Sequence, residues 1–274
     1  MGRLSGPVAA ELNLPSLSHL RDIIRLSAQA VDDLNCHRRL IAVSHATRAF
    51  HVADGVDAEK VHVVYNGIDL KEFCPRPPTG YLHQELGLRP DVPLIGTIGQ
   101  IGLRKGQDVL LRAASQIAEK RPNTHYLIVG ERHSQKDESR RFERELHDRM
   151  DTRVHFLGVR GDVSRMLNEL TLLVHTARQE PLGRVLLEAA ASGTAIIATA
   201  VGGTSEIFPP EANAARLVSP DDPNALADAI LELLGDAALR NRLASAARKR
   251  AEEQFDIQKS AACLARHYHA LIGE

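Results

Sequence analysis

The sequence predicts an α/β protein with a doubly wound parallel sheet, preceded by a short leading domain. Three observations carry this. From Pro93 onward, short apolar runs alternate with stretches of helical spacing, the pattern of a parallel sheet covered by helices on both faces. One run, Thr194 to Ala200, contains no charged residue, as a buried strand requires. A length of 274 residues at 43% hydrophobic composition supplies core material for one or two domains.

Residues 1–60 read as a fragment of a sheet domain. Pro7 to Leu12 is a predicted short helix and Leu14 to Leu20 a strand. Asp22 to Leu34 has helical spacing at Ile23, Ile24, Leu26, Ala30, Val31 and Leu34. Leu40 to Val43 is a strand, and Ser44 caps a helix running to about Val52. One or two strands with a few helices do not make a stable sheet domain alone. Val61 to Tyr65 is a strand leading into the turn Asn66-Gly67, and CPRPPTG, Cys74 to Gly80, is extended and linker-like. Residues 61–274 therefore form the second domain.

In that domain the predicted strands are Leu94–Ile98, His125–Val129, Val154–Leu157, Leu172–His175, Ala195–Thr199 and Ala215–Val218. The clearest helices between them are Asp108–Glu119 and Val185–Ser192. Glu131–Met150 is dense in charge and reads as a solvated helix. The tail from Pro223 is helical, with Ala225, Leu226, Ala229, Ile230, Leu233 and Leu234 on one face. Ala261, Leu264, Ala265, Tyr268 and Leu271 mark a final amphipathic helix over about 256–272. Ligands in such sheets bind beyond the C-terminal strand ends. Gln100, Lys105, Glu131, Gly158, Arg160 and Glu180 all follow strand ends, so they converge on one edge.

The most informative segment is EPLGRVLLE, bracketed by Glu180 and Glu188. Pro181 and Gly183 mark a loop and a tight helix start, and Gly193 stands where a left-handed helix terminus is wanted. A helix N-terminus presents free N–H groups to an anion, while carboxylates accept from sugar hydroxyls. The segment therefore fits a ligand with anionic and polyol parts, such as a sugar nucleotide. The bland alternative is a capped helix with solvated glutamates; the apolar neighbours Val185, Leu186, Leu187 and Ala189 count against it by placing Glu188 near a buried surface.

These residues resemble the E-x7-E signature of retaining glycosyltransferases of family four, which have the GT-B fold. VVYNGIDLKEFCP (Val63 to Pro75), GTIGQIGLRKGQDVLLRA (Gly96 to Ala113), YLIVGE (Tyr126 to Glu131) and VHFLGVRGDVSRML (Val154 to Leu167) resemble further family motifs in the same order. The resemblance runs from about residue 40 to the C-terminus and implies a Rossmann-like donor-binding domain. Residues 1–60 would then be a remnant of the acceptor-binding lobe, and the last helix would cross back onto it. By the same resemblance Lys105 neutralises a leaving diphosphate, aided by the N–H groups of Leu182 and Gly183. Glu180 holds donor-sugar hydroxyls, Glu188 the ribose hydroxyls, and the Gly158, Val159 and Arg160 loop meets the base, with two roles open to Arg160: covering the base or pairing with Asp162. Gln100 stands where the family usually has Arg, so Lys105 or Arg104 must supply that charge or donor affinity falls. The implied activity is transfer of a hexosyl unit from a nucleotide sugar to an acceptor with retention and without a metal cofactor. Glu206, after Gly202-Gly203, reads as structural, bonding helix N–H groups.

Other patterns fail. Gly96, Gly99 and Gly102 are spaced G-x-x-G-x-x-G rather than as a dinucleotide fingerprint, and in GQIGLRKGQ the lysine precedes the last glycine, unlike a P-loop. Thirteen histidines include no H-x3-H and no H-E-x-x-H. A balance of 34 basic against 35 acidic residues argues against nucleic acid as the main partner. Three scattered cysteines suggest a reducing cytosol, with peripheral attachment to a membrane left open. No signal peptide opens the sequence and no apolar run is long enough to span a bilayer. Two other readings stand beside the transferase: a donor-binding module without turnover that needs a separate N-terminal lobe, and a sugar-nucleotide epimerase of the same fold.

Overall fold

The computed structural model describes residues 2–149 and 151–273. The leading segment contains α1 (Gly2–Glu11), β1 (Leu17–Leu20), α2 (Ala28–Asn35), β2 (Arg39–Ala42), α3 (His45–Ala53) and β3 (Val61–Val63). The second continues with α4 (Tyr81–Glu85), β4 (Leu94–Ile98), α5 (Gln107–Gln116), β5 (His125–Val129), α6 (Asp137–Asp148) and β6 (Val154–Gly158). Then come α7 (Val163–Leu167), β7 (Leu172–His175), α8 (Arg184–Ser192), β8 (Ile196–Thr199), α9 (Thr204–Ile207) and β9 (Arg216–Val218). Three helices close the chain: α10 (Pro223–Gly235), α11 (Ala237–Gln254) and α12 (Ile257–Ile272).

Among the described residues the strands form two sheets, one three-stranded in the order β1-β2-β3 and one six-stranded in the order β6-β5-β4-β7-β8-β9. All pairings between them are parallel. In the large sheet the order reverses between β4 and β7, which makes the C-terminal ends of these two strands the topological switch point. The strand pleat sorts side chains onto two faces. Leu94, Leu127, Leu173 and Ile196 join a core with α7, α8 and α11, while Ile95, Tyr126, Ile128, Val174 and Ile197 join the opposite core with α5, α6 and α10. The strands thus read as unbroken apolar runs because both faces are covered.

The first sheet corrects the boundary drawn at residue 60. Val61–Val63 pairs with β2, so that sheet has three strands and takes the first residues assigned above to the second domain. Its own core is small, built on Leu20, Val31, Leu34, Leu40, Ala42, Val56 and Val61. Val43, Ile68 and Phe73 belong instead to one of the large cores, which joins the two lobes. The chain end closes the same seam: Ile68 N–H donates to the Phe255 carbonyl (2.7 Å) and Ile257 N–H to the Ile68 carbonyl (3.1 Å). From there α12 runs back to the first lobe, where His267 meets Arg39 (3.1 Å) and stands 4.9 Å from the His62 ring.

Four helices differ from the sequence expectation. α1 runs from Gly2 to Glu11 with Pro7 inside it, rather than from Pro7 to Leu12. α2 starts at Ala28, not Asp22, because the Ser27 side chain accepts from Ala30 N–H and caps it there, while Leu26 N–H is held by Asp54 (2.8 Å). α5 stops at Gln116, with Ile117 as its cap. In the charge-dense stretch only Asp137–Asp148 is helical, and its Phe142 and Leu146 are buried, so this helix is docked on the sheet; Met150 lies outside the described residues. The left-handed helix end at Gly193 is present, with φ +70°.

Because Ile197 is fully buried in the central sheet, Ile197→Ala should lower the unfolding free energy by about 2–5 kcal/mol. The exposed Ile272→Ala should change it by about 0.5 kcal/mol or less. Urea titrations followed by circular dichroism check both.

Candidate functional site

The switch point brings two loops together. The first, after β4, carries Gln100 and a single 3-10 turn, Leu103–Lys105. The second, after β7, runs from Thr176 to the start of α8. Arg178 ties them: its N–H donates to the Arg104 carbonyl (2.8 Å), its Nη1 to the Leu103 carbonyl (2.6 Å), and its guanidinium grips Asp108 at the start of α5. Thr176 Oγ1 donates to the Lys105 carbonyl (3.1 Å). Lys105 therefore projects from a turn whose backbone is fixed by the neighbouring loop.

Its ammonium meets Glu180. Lys105 Nζ lies 2.5 Å from Glu180 Oε2, and His175 Nε2 lies 2.8 Å from the same oxygen. Glu180 is only 5% exposed. Burial raises its carboxyl, but the hydrogen bond from His175 and the charge of Lys105 outweigh burial and hold its pKa well below the usual carboxylate range. His175 is lowered, by burial first and also by the charges of Lys105 and Arg104, against its hydrogen bond to Glu180. Near neutral pH the ring is uncharged and donates Nε2–H, so the charge that balances Glu180 is that of Lys105. Among the described residues none donates to Glu180 Oε1, which leaves that oxygen free for a ligand hydroxyl.

Past Glu180 the chain turns sharply into α8. Gly183 takes φ +105° as its N-cap, a conformation only glycine adopts freely, and offers no side-chain cap. Among the described residues no acceptor takes the N–H of Leu182 or Gly183. Two amides at the positive end of a helix thus stand ready for an anion. Leu182's own side chain is buried beneath them. Glu188, one face along α8, is 9% exposed and bonded to Arg184 (3.2 Å). Its pKa is raised, chiefly by burial, with the Arg184 charge opposing. Its position beside a buried surface is as the sequence indicated.

The remaining predicted residues sort differently. Gln100 follows β4 and is exposed; its carbonyl accepts from Gln107 Nε2 (3.0 Å). Gly158 ends β6, and Val159 beside it is 66% exposed. Arg160 is engaged: it forks onto Asp162 (2.9 Å from Nε and from Nη2) and onto Glu85 of α4 (2.6 and 3.1 Å). Of the two roles open to it, pairing with Asp162 is the one seen. Tyr81 adds a bond to Asp162 (2.8 Å), so the loop after β6 is stapled to α4 and Val159 is its free apolar tip.

The family model for glycosyl transferases group 1 matches residues 81–250, which take in the whole of the large sheet, the helices from α4 to α10 and most of α11. The chain belongs to this family. A second model, glycosyltransferase family 4, matches residues 11–72 of this group 1 chain. It is 32% identical over 218 residues to a D-inositol 3-phosphate glycosyltransferase of Xylanimonas cellulosilytica, covering 77% of this chain and 51% of that protein. It is 33% identical over 229 residues to an alpha-maltose-1-phosphate synthase of Mycobacterium tuberculosis, covering 79% of this chain and 59% of the relative. The chain thus spans between half and three-fifths of the length of these relatives. Among solved structures it superposes on Anabaena HepE in complex with UDP with a TM-score of 0.88 at 26% identity, covering 98% of this chain and 76% of that one. The fold is that of the GT-B glycosyltransferases. Among the described residues, no helix of this group 1 chain is long and apolar enough to cross a membrane.

Sequence reasoning missed His175, Arg178 and Glu85. His175 was placed as the last residue of a strand, where a histidine is usually a core residue; only its spacing of five from Glu180 hinted at contact.

The two lowered groups give this family member an acid-labile centre. Glu180's contribution is complete above about pH 4.3, the ordinary glutamate value, and is lost as pH falls through its lower folded value. His175 acts earlier: between its folded pKa and about 6.5 the unfolded chain binds a proton that the native site refuses, so stability falls as pH drops. Urea unfolding at several pH values between 7.5 and 5 should show this slope, and His175→Asn should make it shallower without abolishing it, because His19, His62, His125, His155 and His267 are also lowered by burial.

Proposed function

We propose that the chain binds a nucleotide-sugar donor across the β4–β7 switch point and serves transfer of its hexosyl group to an acceptor hydroxyl with retention at the anomeric carbon. The supporting observation is the convergence of Lys105 Nζ, the free Oε1 of Glu180 and the untaken amides of Leu182 and Gly183 on one loop pair. In this reading the amides and Lys105 face the diphosphate, Glu180 Oε1 accepts from a sugar hydroxyl, and Glu188 accepts from ribose. Gln100 lies along the phosphates and the Gly158–Val159 tip lies against the base, with Arg160 holding that tip. The similar HepE has been crystallised with UDP and with UDP-glucose, which favours a uridine diphosphate sugar.

In the transfer step the bond from the anomeric carbon to the diphosphate oxygen breaks, the acceptor oxygen bonds to that carbon on the same face, and the acceptor proton passes to the departing phosphate oxygen. The charge that grows on the diphosphate is met by preorganised donors, and no metal is called on. Glu180 is held by Lys105 and His175 as a hydrogen-bond acceptor, which favours a front-face route over a covalent glycosyl-enzyme. The donor contacts of this reading all come from the second lobe. Turnover also needs an acceptor surface, and the first lobe here is a three-stranded sheet; a donor-binding module that acts with a further lobe is therefore the second reading.

Titration calorimetry separates these claims. UDP should bind the wild type, and Lys105→Ala should weaken UDP far more than uridine; equal losses would indicate a folding defect. Glu188→Ala should weaken UDP by tenfold or more, since each charge-assisted bond lost is worth about 1.5–3 kcal/mol. A wild-type chain that binds neither UDP nor any other nucleoside diphosphate sinks the proposal, while binding without sugar transfer to any acceptor selects the second reading.

A further inference from the structure

The loop that carries Glu180 is gripped from the first lobe as well as from its own. The Ser44 hydroxyl, at the N-cap of α3, donates to the Pro181 carbonyl (2.5 Å), and Thr47 Oγ1 lies 3.3 Å from the same oxygen. The same helix start offers the N–H groups of His45 and Ala46, and Glu206 takes both, at 2.8 Å through Oε2 and 2.7 Å through Oε1. Tyr65, in the segment joining the lobes, donates its hydroxyl to Glu206 Oε2 (2.9 Å). A carboxylate on the first amides of a helix is favoured by the partial positive charge there, and such bonds are stronger than neutral ones.

Glu206 stands at the other end of a rigid connection. It lies on α9, immediately after Gly202-Gly203, and that turn rides on the donor loop. Gly203 N–H donates to the Glu180 carbonyl (3.0 Å). A Cβ on Gly202 would come within 2.1 Å of the Glu180 carbonyl oxygen, and one on Gly203 within 2.4 Å of the Pro181 carbonyl oxygen. Arg250 of α11 holds α9 from behind, through the carbonyls of Glu206 (2.9 Å) and Ile207. Two segments, one from each lobe, therefore close around the backbone of Glu180 to Leu182, and Arg250 braces one of them.

We infer that Glu206 is a positioning residue for the donor loop. It clamps α3 of the first lobe to the Gly202-Gly203 turn, and the two together fix the backbone that aims Glu180 and the amides of Leu182 and Gly183. The inference rests on the donor-site reading above and extends it: seating of the first lobe and order in the donor loop become one event. An opening of the lobes at this seam breaks the Glu206 bonds and releases the Pro181 carbonyl together.

The test compares wild type, Glu206→Gln and Tyr65→Phe by UDP titration and by hydrogen–deuterium exchange without nucleotide. Glu206→Gln puts an amide donor against the His45 or Ala46 N–H. UDP should bind about tenfold more weakly, equivalent to about 1.4 kcal/mol, and exchange across 180–187 should quicken while β4 and β5 stay protected. Tyr65→Phe should move both readouts the same way by less. Faster exchange confined to α3 with unchanged UDP affinity would make Glu206 a helix cap only and overturn the inference. So would a uniform rise in exchange through β4 and β5 in both variants. If wild type binds no UDP, the donor-site reading fails, and the exchange of 180–187 still decides the clamp.

Discussion

Glu180 keeps its charge inside the protein, and much of the local architecture answers that constraint. A buried carboxylate without a partner is strongly destabilising, by about 3–5 kcal/mol when one member of a buried pair is removed. The compensation has to reach it from a different strand, and Lys105 does so from the turn after β4. That turn needs an anchor, which Arg178 and Thr176 provide. The loop that bears the acid also has to expose its amides, which requires the glycine bend at 183. One electrostatic demand thus fixes the relative placement of both strand ends at which the sheet order reverses.

The pair also sets what the site can do. With Oε2 held by an ammonium and an imidazole, Glu180 is a poor nucleophile and a directional acceptor through Oε1. Lys105 for its part is neutralised at rest. On the proposed reading, a diphosphate arriving at the Leu182 and Gly183 amides would compete with Glu180 for the same ammonium, and Gln100 would add no charge of its own to that contest. On that reading, hydrogen-bond donors and a shared cation, rather than a surplus of positive charge, would make up the anion-binding side.

Much of the second lobe was legible in the sequence. The central strands Leu94–Ile98, His125–Val129 and Leu172–His175 fall where apolar runs without charges required them, because covered faces leave no ambiguity of pattern. The failures have tertiary causes. Helical spacing from Asp22 could not reveal that Asp54, far along the chain, holds Leu26 N–H and keeps that stretch extended. Nor could spacing show that Val61 would pair with β2, since the same run read equally well as the start of the next domain. In the site, Lys105, Glu180 and Glu188 were visible because turn and helix signals surround them. Arg160 was visible, but its engagement with Glu85 was not, as that contact spans 75 residues. His175 and Arg178 carry no such signal; their roles exist only once the loops meet.

The return of α12 carries a consequence for biogenesis. Ile68 takes its backbone partners from Phe255 and Ile257, and Arg39 and His62 take a neighbour from His267. Residues 39–68 must therefore wait, on the ribosome, for residues 255–267: at about 5–20 residues per second, roughly ten to forty seconds pass between them. During that interval the small first sheet lacks its lid, whereas the large sheet already has every strand. The large sheet should thus mature before the first, with chaperones meeting the first sheet while it is still uncovered.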